Sequence, residues 1–463
     1  MSVSLKRIIA LVLNKGEDSL TKQVVENSTY QFGTNLVSRA GSLIFTIIIA
    51  RILMPELFGL YNLTLSIILT INTFADLGIN SALSRYLSDS LSRKKINGGE
   101  IRSRIRFLFI LKFLLAFVIA SILFLLSPWI SESLFSRPEM IVLLRIGAIY
   151  IFVIAIPSFL GAIFGPLKKI KYNLFAEIIV QGTKIVLFLL LVQLYMGVST
   201  VFYVLITSCF LAMVFYLIVI LIKYRYLLFG KLVKISKKKI AIFLGWSIIL
   251  SSSFILFSHI DTFMLGLFVE NNFIGYYSAL LSLIISATAI ISFSPVFMPV
   301  FTQLKNKKGL KRAFGKVIKV YLIIAIPLTI LLMIIILPVM KIIYGADYIP
   351  QEYFVPILIS AILLSLLVIS EIFTGIFTSL FLAKEKVKIP AIILLIITGI
   401  NIILNYSFIK IALIFGPQWA LVSVSLATVL TRYTNFILLR ILAKKEFRFL
   451  YALKNKKELV KQV

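Results

Sequence analysis

Apolar residues recur along this chain in blocks of about twenty, separated by short polar stretches. That is the length a helix needs to cross the hydrocarbon core. Backbone groups find no water there and must pair within their own segment, so helices are the expected spanning form. The blocks predict about twelve spans, at 33–53, 60–78, 107–128, 140–164, 174–194, 199–222, 240–268, 273–297, 316–338, 352–381, 389–409 and 418–440. Polar residues inside the blocks are spaced, not scattered. In the first span Asn35, Arg39, Ser42 and Thr46 step by four, three and four. In the second, Asn62, Ser66, Thr70, Thr73, Asp76 and Asn80 do the same. Glu177, Gln181 and Lys184 in the fifth, and Ser425, Thr428, Arg432 and Asn435 in the twelfth, repeat the pattern. Such steps put each set on one helix face. A face turned to lipid has no use for a polar stripe, so the stripes line either helix contacts or a wet cleft.

The pattern also repeats on a larger scale. Residues 58–70, FGLYNLTLSIILT, overlay 274–286, IGYYSALLSLIIS, at an offset of 216 residues. Gly59 then meets Gly275, Tyr61 meets Tyr277, and Asn62, Ser66 and Thr70 meet Ser278, Ser282 and Ser286. The offset is near half the chain, so each half holds six spans in one orientation. Two parallel six-helix lobes related by a pseudo-twofold axis along the membrane normal are the architecture this implies.

Charge fixes the topology. The 463-residue chain is 60% hydrophobic and carries 48 Lys and Arg against 18 Asp and Glu, a formal net charge of +30. In a soluble protein that balance would suggest nucleic acid. If the spans simply alternate, however, 39 of the basic residues fall on one side and only Arg137, Lys341 and Lys410 on the other. The remaining six, Arg39, Arg51, Lys112, Arg145, Lys184 and Arg432, lie inside spans, and the 39 include Lys316, Lys319 and Arg440 at the basic-rich ends of theirs. The positive-inside rule then places both termini in the cytoplasm, and the charge faces anionic headgroups instead of nucleic acid. The expected organisation is an amphipathic cytoplasmic segment at 1–32, an N-terminal lobe at 33–222, a basic linker at 223–239, a C-terminal lobe at 240–440 and a basic tail at 441–463. The apolar run Ile8–Leu13 is too short for a signal-peptide core and reads as part of an interfacial helix. The basic stretches 79–106 and 223–239 read as solvated or lipid-surface faces.

Candidate chemistry is confined to the spans. A single cysteine, Cys209, and a single histidine, His259, exclude a disulfide framework and a clustered Cys/His metal site. A charge at bilayer depth is expensive and turns to a cavity or a partner. Arg39, Lys184 and Arg432 are the deep cations, either lining a cavity or held in structural ion pairs. Lys112, Arg51 and Arg145 lie nearer span ends and are expected to snorkel. Asp76, Glu177, Asp261 and Glu371 are the acids available to carry a coupling proton or sodium ion, or to bond across helices. Ser251, Ser252 and Ser253 are expected to bond back to their helix, and Pro157, Pro295, Pro299, Pro327 and Pro356 to bend theirs.

Several stretches resemble one family. Residues 50–65, ARILMPELFGLYNLTL, and 75–87, ADLGINSALSRYL, look like the first helices of the Wzx-type polysaccharide-export flippases. These belong to the superfamily of multidrug and toxin extruders and lipid II flippases. Residues 261–280, 295–304 and 374–406, and the run GPQWALVSVSLATVL, resemble its later helices. The Gly416-Pro417-Gln418-Trp419-Ala420 run departs from the family's usual small-residue pattern. The resemblance implies an all-α, MATE-like membrane transporter, not an enzyme, with no cofactor. Its substrate would be a polyprenyl-(pyro)phosphate-linked oligosaccharide, flipped from the cytoplasmic to the outer leaflet of the cell membrane. Coupling would be to H+, Na+ or the membrane potential. Membrane lipids, and glycosyltransferases or a polymerase of the same pathway, would be its partners. Independently, deep cations suit a phosphate, and Asn35, Ser42, Thr46, Gln181, Thr428 and Asn435 suit sugar hydroxyls. A cation-coupled drug extruder on the same scaffold would use Asp76 and Glu177. A membrane-embedded glycosyltransferase or ligase would need a large outward loop or a carboxylate-rich interfacial site, and the chain shows neither.

Overall fold

A computed structural model describes residues 19–92, 98–233, 235, 237–291, 301 and 307–448. The described residues form helices and turns, with no strand among them. The longest helix, α1 (Ser19–Asp76), has 58 residues. At 1.5 Å per residue it measures about 87 Å, far more than one bilayer core. It therefore holds the first two predicted spans, and it breaks where they should join: Met54 adopts φ 61°, ψ 170° beside Pro55. The proline ring disfavours the helical region for the residue before it, and a non-glycine residue at positive φ ends the local hydrogen-bond ladder. Leu77 and Gly78, at φ 43° and 72°, then end α1.

The chain continues through α2 (Ile79–Ser92) and α3 (Gly98–Pro128), which runs on into a π-helical turn, Trp129–Leu134. After α4 (Met140–Phe164), α5 (Lys171–Leu191) and α6 (Val198–Lys223) come α7 (Lys237–Phe268) and α8 (Asn271–Ile291). Then follow α9 (Lys307–Tyr344), α10 (Phe354–Ser365), α11 (Leu367–Ala383), α12 (Lys388–Ala412) and α13 (Trp419–Glu446). Among the described residues ten helical segments are long and apolar enough to cross a membrane. The first of these, Glu26–Leu91, contains two predicted spans. The segment Ile255–Phe268 is a shorter apolar stretch of α7, the seventh predicted span. The eleventh and twelfth spans are α12 and α13. The tenth is split at Leu366 into α10 and α11.

By contact the chain divides into two compact units. The first takes the described residues up to Ser278 together with Ile343–Tyr348; the second takes Ala279–Ile342 and Ile349 onward. In the first, α3 packs on α4, α4 on α6, α5 on α1 and α6, and α7 along α1. One buried cluster, including Leu83, Leu108, Phe159, Phe164 and Ile220, ties α2, α3, α4 and α6 together. The basic linker is pinned to the same unit. Arg102 donates to the carbonyls of Tyr226 and Lys231, and Ser103 Oγ accepts the amide of Val233 at 2.8 Å. In the second unit, α13 packs against α10, α11 and α12. The border by contact falls inside α8, because α7 packs along α1. It marks which helices touch, whereas the proposed six-helix halves rest on the repeat.

Pro157 and Pro327 lie inside α4 and α9 as expected, but Pro55 marks the sharp break. Pro295 and Pro299, the side chains of Ser251, Ser252 and Ser253, and the segment Ile8–Leu13 lie outside the described residues.

A layered polar seam and two ion pairs

The stripes of the first and fifth spans face each other in the first unit. The contacts run in one register along both helices. Asn27 Oδ1 accepts the amide of Ile170 at 3.3 Å, and a Cβ on Gly33 would meet Leu174 at 3.5 Å. Gly41 lies against Gln181, where a Cβ would come within 2.6 Å of the glutamine Cβ. Phe45 then meets Phe188, ring centroids 5.8 Å apart. The two helices therefore run parallel, and their polar residues stack in layers. In the middle layer Gln181 Nε2 donates to Ser42 Oγ at 3.3 Å and to Glu177 Oε1 at 2.7 Å. One turn toward the N-terminal ends of the two helices lie Arg39 and Glu177. One turn the other way, the Lys184 ammonium sits 5.9 Å from the centre of the Phe45 ring.

Two features of this seam suit a ligand. Gln181 is buried, and its Oε1 meets no hydrogen-bond donor among the described residues. A buried carbonyl left unbonded is costly unless a donor arrives from elsewhere. Lys184, one turn along the same face, makes no ion pair among the described residues. Its attraction to the Phe45 ring leaves the ammonium's hydrogens available, because a ring face accepts charge without consuming a directed donor. Gly41 is what lets the glutamine lie against α1. Asn35 and Thr46 are half-buried on the same helix, and Ser42 and Arg39 are exposed.

Asp76 has a different role. It is ion-paired to Lys112 of α3, which is 4% exposed. This corrects the expectation that Lys112 snorkels: its ammonium is buried in an apolar setting formed by Phe109, Phe113 and Phe152. The pair was detectable in principle. Asp76 is near the end of the second span and Lys112 near the start of the third, so both lie at the same depth. Arg145 is exposed, its guanidinium 5.2 Å from the centre of the Phe124 ring, and Arg51 is exposed.

The remaining candidates are spread over both units. In the first, Asp261 is buried and accepts a hydrogen bond from Tyr277 at 3.0 Å. In the second, Arg432 is ion-paired to Glu371. Thr428 and Asn435 are buried on the same helix, and Thr428 Oγ1 donates to Val424 O at 2.8 Å. Beside them Asn405 donates to Asn401, and Asn401 to Thr431, each at 3.1 Å. Arg432 thus belongs to a polar helix-packing core.

Sequence reading missed Arg137. It lay in a short loop on the side poor in basic residues, with nothing to mark it. The structure buries it to 9% exposure, with its guanidinium donating to the carbonyls of Gly266 and Val269. Burial pulls its pKa down from the ordinary value, while Glu139 and Glu270 act in the opposite sense. A guanidinium keeps its charge through such a shift.

Residues 24–305 match a family model described as polysaccharide biosynthesis protein. No curated protein matches in sequence. Among solved structures the chain is similar to an inward-facing multidrug resistance MATE family transporter of the MOP superfamily. The TM-score is 0.68 at 15% identity, over 90% of this chain and 96% of that one. It is similar to the lipid II flippase MurJ in an inward closed conformation, with TM-score 0.66 and 17% identity over 92% and 90%. It is also similar to a MOP superfamily transporter from Pyrococcus furiosus, with TM-score 0.58 and 15% identity over 96% and 99%. At these identities the likeness establishes the fold, which is MATE-like.

Proposed function

This chain belongs to the polysaccharide biosynthesis protein family; from that premise we propose that it is a multi-pass membrane flippase, not an enzyme, and that it flips a polyprenyl-(pyro)phosphate-linked oligosaccharide from the cytoplasmic to the outer leaflet of the cell membrane by alternating access. The observation that carries this reading is the seam between α1 and α5. Lys184 makes no ion pair among the described residues and lies one turn from the open acceptor of Gln181. A phosphate needs a cation with free N–H donors, and a sugar hydroxyl needs a nearby acceptor. Lys184 supplies the first, and Gln181 with Ser42 the second. Arg39, one turn along α1, adds positive charge toward the side where the head group would load.

Arg432 was grouped with these cations from sequence. Its pairing with Glu371 means that a phosphate would have to compete with a carboxylate for it. Lys184 therefore takes the larger share of the role. Among the candidate coupling acids, Asp76 and Glu371 are ion-paired and Asp261 is bonded by Tyr277, so Glu177 beside Gln181 is the acid best placed to sense an ion at this seam. A net anion leaving an inside-negative cell moves downhill by about 2.3 kcal/mol per charge per 100 mV, so the membrane potential alone can drive export. Glycosyltransferases or a polymerase acting on the same lipid-linked glycan are the partners this role requires.

The test is flipping of a lipid-linked oligosaccharide in vesicles. Lys184→Ala is expected to lower the rate tenfold or more, the scale of one charge-assisted bond at roughly 1.5–3 kcal/mol, while the protein still inserts and purifies. Wild-type flipping by Lys184→Ala and Arg39→Ala together would reject the reading. Export of organic cations, lost in Glu177→Gln and untouched in Lys184→Ala, would support a drug extruder in its place.

A further inference from the structure

The two copies of the internal repeat touch each other, and they do so reciprocally. A Cβ on Gly59 would lie 1.8 Å from the carbonyl oxygen of Asn271, and one on Gly275 would lie 2.1 Å from that of Pro55. At the repeat offset of 216 residues, Gly59 corresponds to Gly275 and Pro55 to Asn271. Residue i of the first copy thus meets residue j of the second, and j of the first meets i of the second. That is the signature of a contact across a twofold axis. The bonds around it repeat the symmetry. Tyr348 donates to the carbonyl of Ala50 at 2.7 Å, and Arg137 to that of Gly266. Ala50 and Gly266 are again equivalent at the same offset. In each case a residue from a loop on the side poor in basic residues caps the end of a spanning helix just before its break: Met54 in α1, and the turn between α7 and α8. All these residues lie in the first compact unit.

We infer that this reciprocal contact is the outward gate of the transporter. It is closed in this structure by bare-backbone packing at Gly59 and Gly275, and it is latched by Arg137 and Tyr348. Helix carbonyls in the last turn have no partner within the helix. Each latch therefore satisfies a group that water or lipid headgroups would otherwise take, and it releases without breaking the helix. Two glycines let the backbones close to a distance no side chain permits. An exit path here opens only when both hairpins part. Phe58 and Tyr344, whose rings lie 6.1 Å and 5.4 Å from that of Tyr348, make the closure apolar around the polar latch. The inference rests on the transporter reading for what passes through, but not for its test.

Ser278, buried one helical turn inward of Gly275, serves as the reporter in a Ser278→Cys protein. The rate at which a membrane-impermeant maleimide, added from the side poor in basic residues, labels it reads the open population. The same backgrounds carrying Cys209 alone supply the blank. Tyr348→Phe removes one hydroxyl donor and is expected to raise labelling roughly fivefold, and Arg137→Gln roughly tenfold or more. Their combination should exceed both, and Gly59→Ala should match it by holding the backbones apart. Each variant is first shown to be folded by its unfolding transition. Unchanged labelling in a folded Tyr348→Phe, Arg137→Gln double variant overturns the gate. So does labelling that rises equally from the basic-rich side, which would mark general loosening. No substrate enters the measurement, so its failure leaves the flippase reading standing, and loss of flipping in Lys184→Ala leaves the gate standing.

Discussion

Lys112 and Lys184 show how one type of side chain serves two ends inside spanning helices. Lys112 is matched by Asp76, and the pair is a cross-helix tie between α1 and α3. Removing one partner leaves a buried charge alone, at a cost of about 3–5 kcal/mol, whereas replacing both with apolar residues of similar size is often close to neutral. Lys112→Met alone and Asp76→Leu alone are therefore expected to lower the unfolding midpoint sharply, and the double variant to recover most of the loss. A double variant as unstable as the sum of the singles would show that the two groups are not coupled. Lys184 is cushioned by Phe45 and makes no ion pair among the described residues, so Lys184→Met is expected to leave stability nearly unchanged while transport falls. Sequence placed all three groups within their spans but ranked Lys112 by its distance from an end. Pairing depends on what the neighbouring helix presents at that depth, and end-distance does not report this.

At the scale of elements, the break in α1 and the glycine contact belong together. Met54 sits in a backbone region that L-residues rarely adopt, held there by the proline that follows and by the packing of the next half-helix. Gly275 is held against the carbonyl of Pro55, where no side chain fits. Gly275→Ala is expected to destabilise the protein by about 1–3 kcal/mol, the cost of forcing extra volume into a packed contact. Gly399, inside α12, has open space where its Cβ would be. Gly399→Ala is expected to stabilise by about 0.5–1 kcal/mol, because alanine loses less backbone freedom in a helix. Equal effects of the two substitutions, measured as unfolding midpoints in one detergent, would show that helix propensity outweighs packing at Gly275. The repeat in the sequence flagged Gly59 and Gly275 as equivalent. That equivalence alone did not say that the two meet.

For the whole molecule, charge asymmetry is the organising quantity. Thirty-nine basic residues against three set the orientation proposed for the chain. Exposed tips on the basic-poor side, Tyr195 at 72% and Ile414 at 79%, lie in the loops after α5 and α12. In intact cells, Tyr195→Cys and Ile414→Cys are expected to react with an impermeant maleimide. Lys169→Cys, in a basic loop, should react only after permeabilisation, against a Cys209 blank. The reverse pattern would invert the topology and with it the direction of flipping. Fold class and family stand independently of that outcome.

The sequence by itself determined the membrane class, the number and order of the spans, and the stripes that carry polar chemistry. Each of these follows from local periodicity and the water-to-lipid free energy of single residues, which act before any helix meets another. Tertiary structure decided which charges are neutralised. It paired Asp76 with Lys112 and Glu371 with Arg432, and it brought Gln181 and Lys184 against α1, with no ion pair on the lysine among the described residues. It also turned an unremarked loop arginine into the cap of α7. Those outcomes depend on which faces pack and at what register, and the local pattern does not name a partner that lies 36 to 139 residues away.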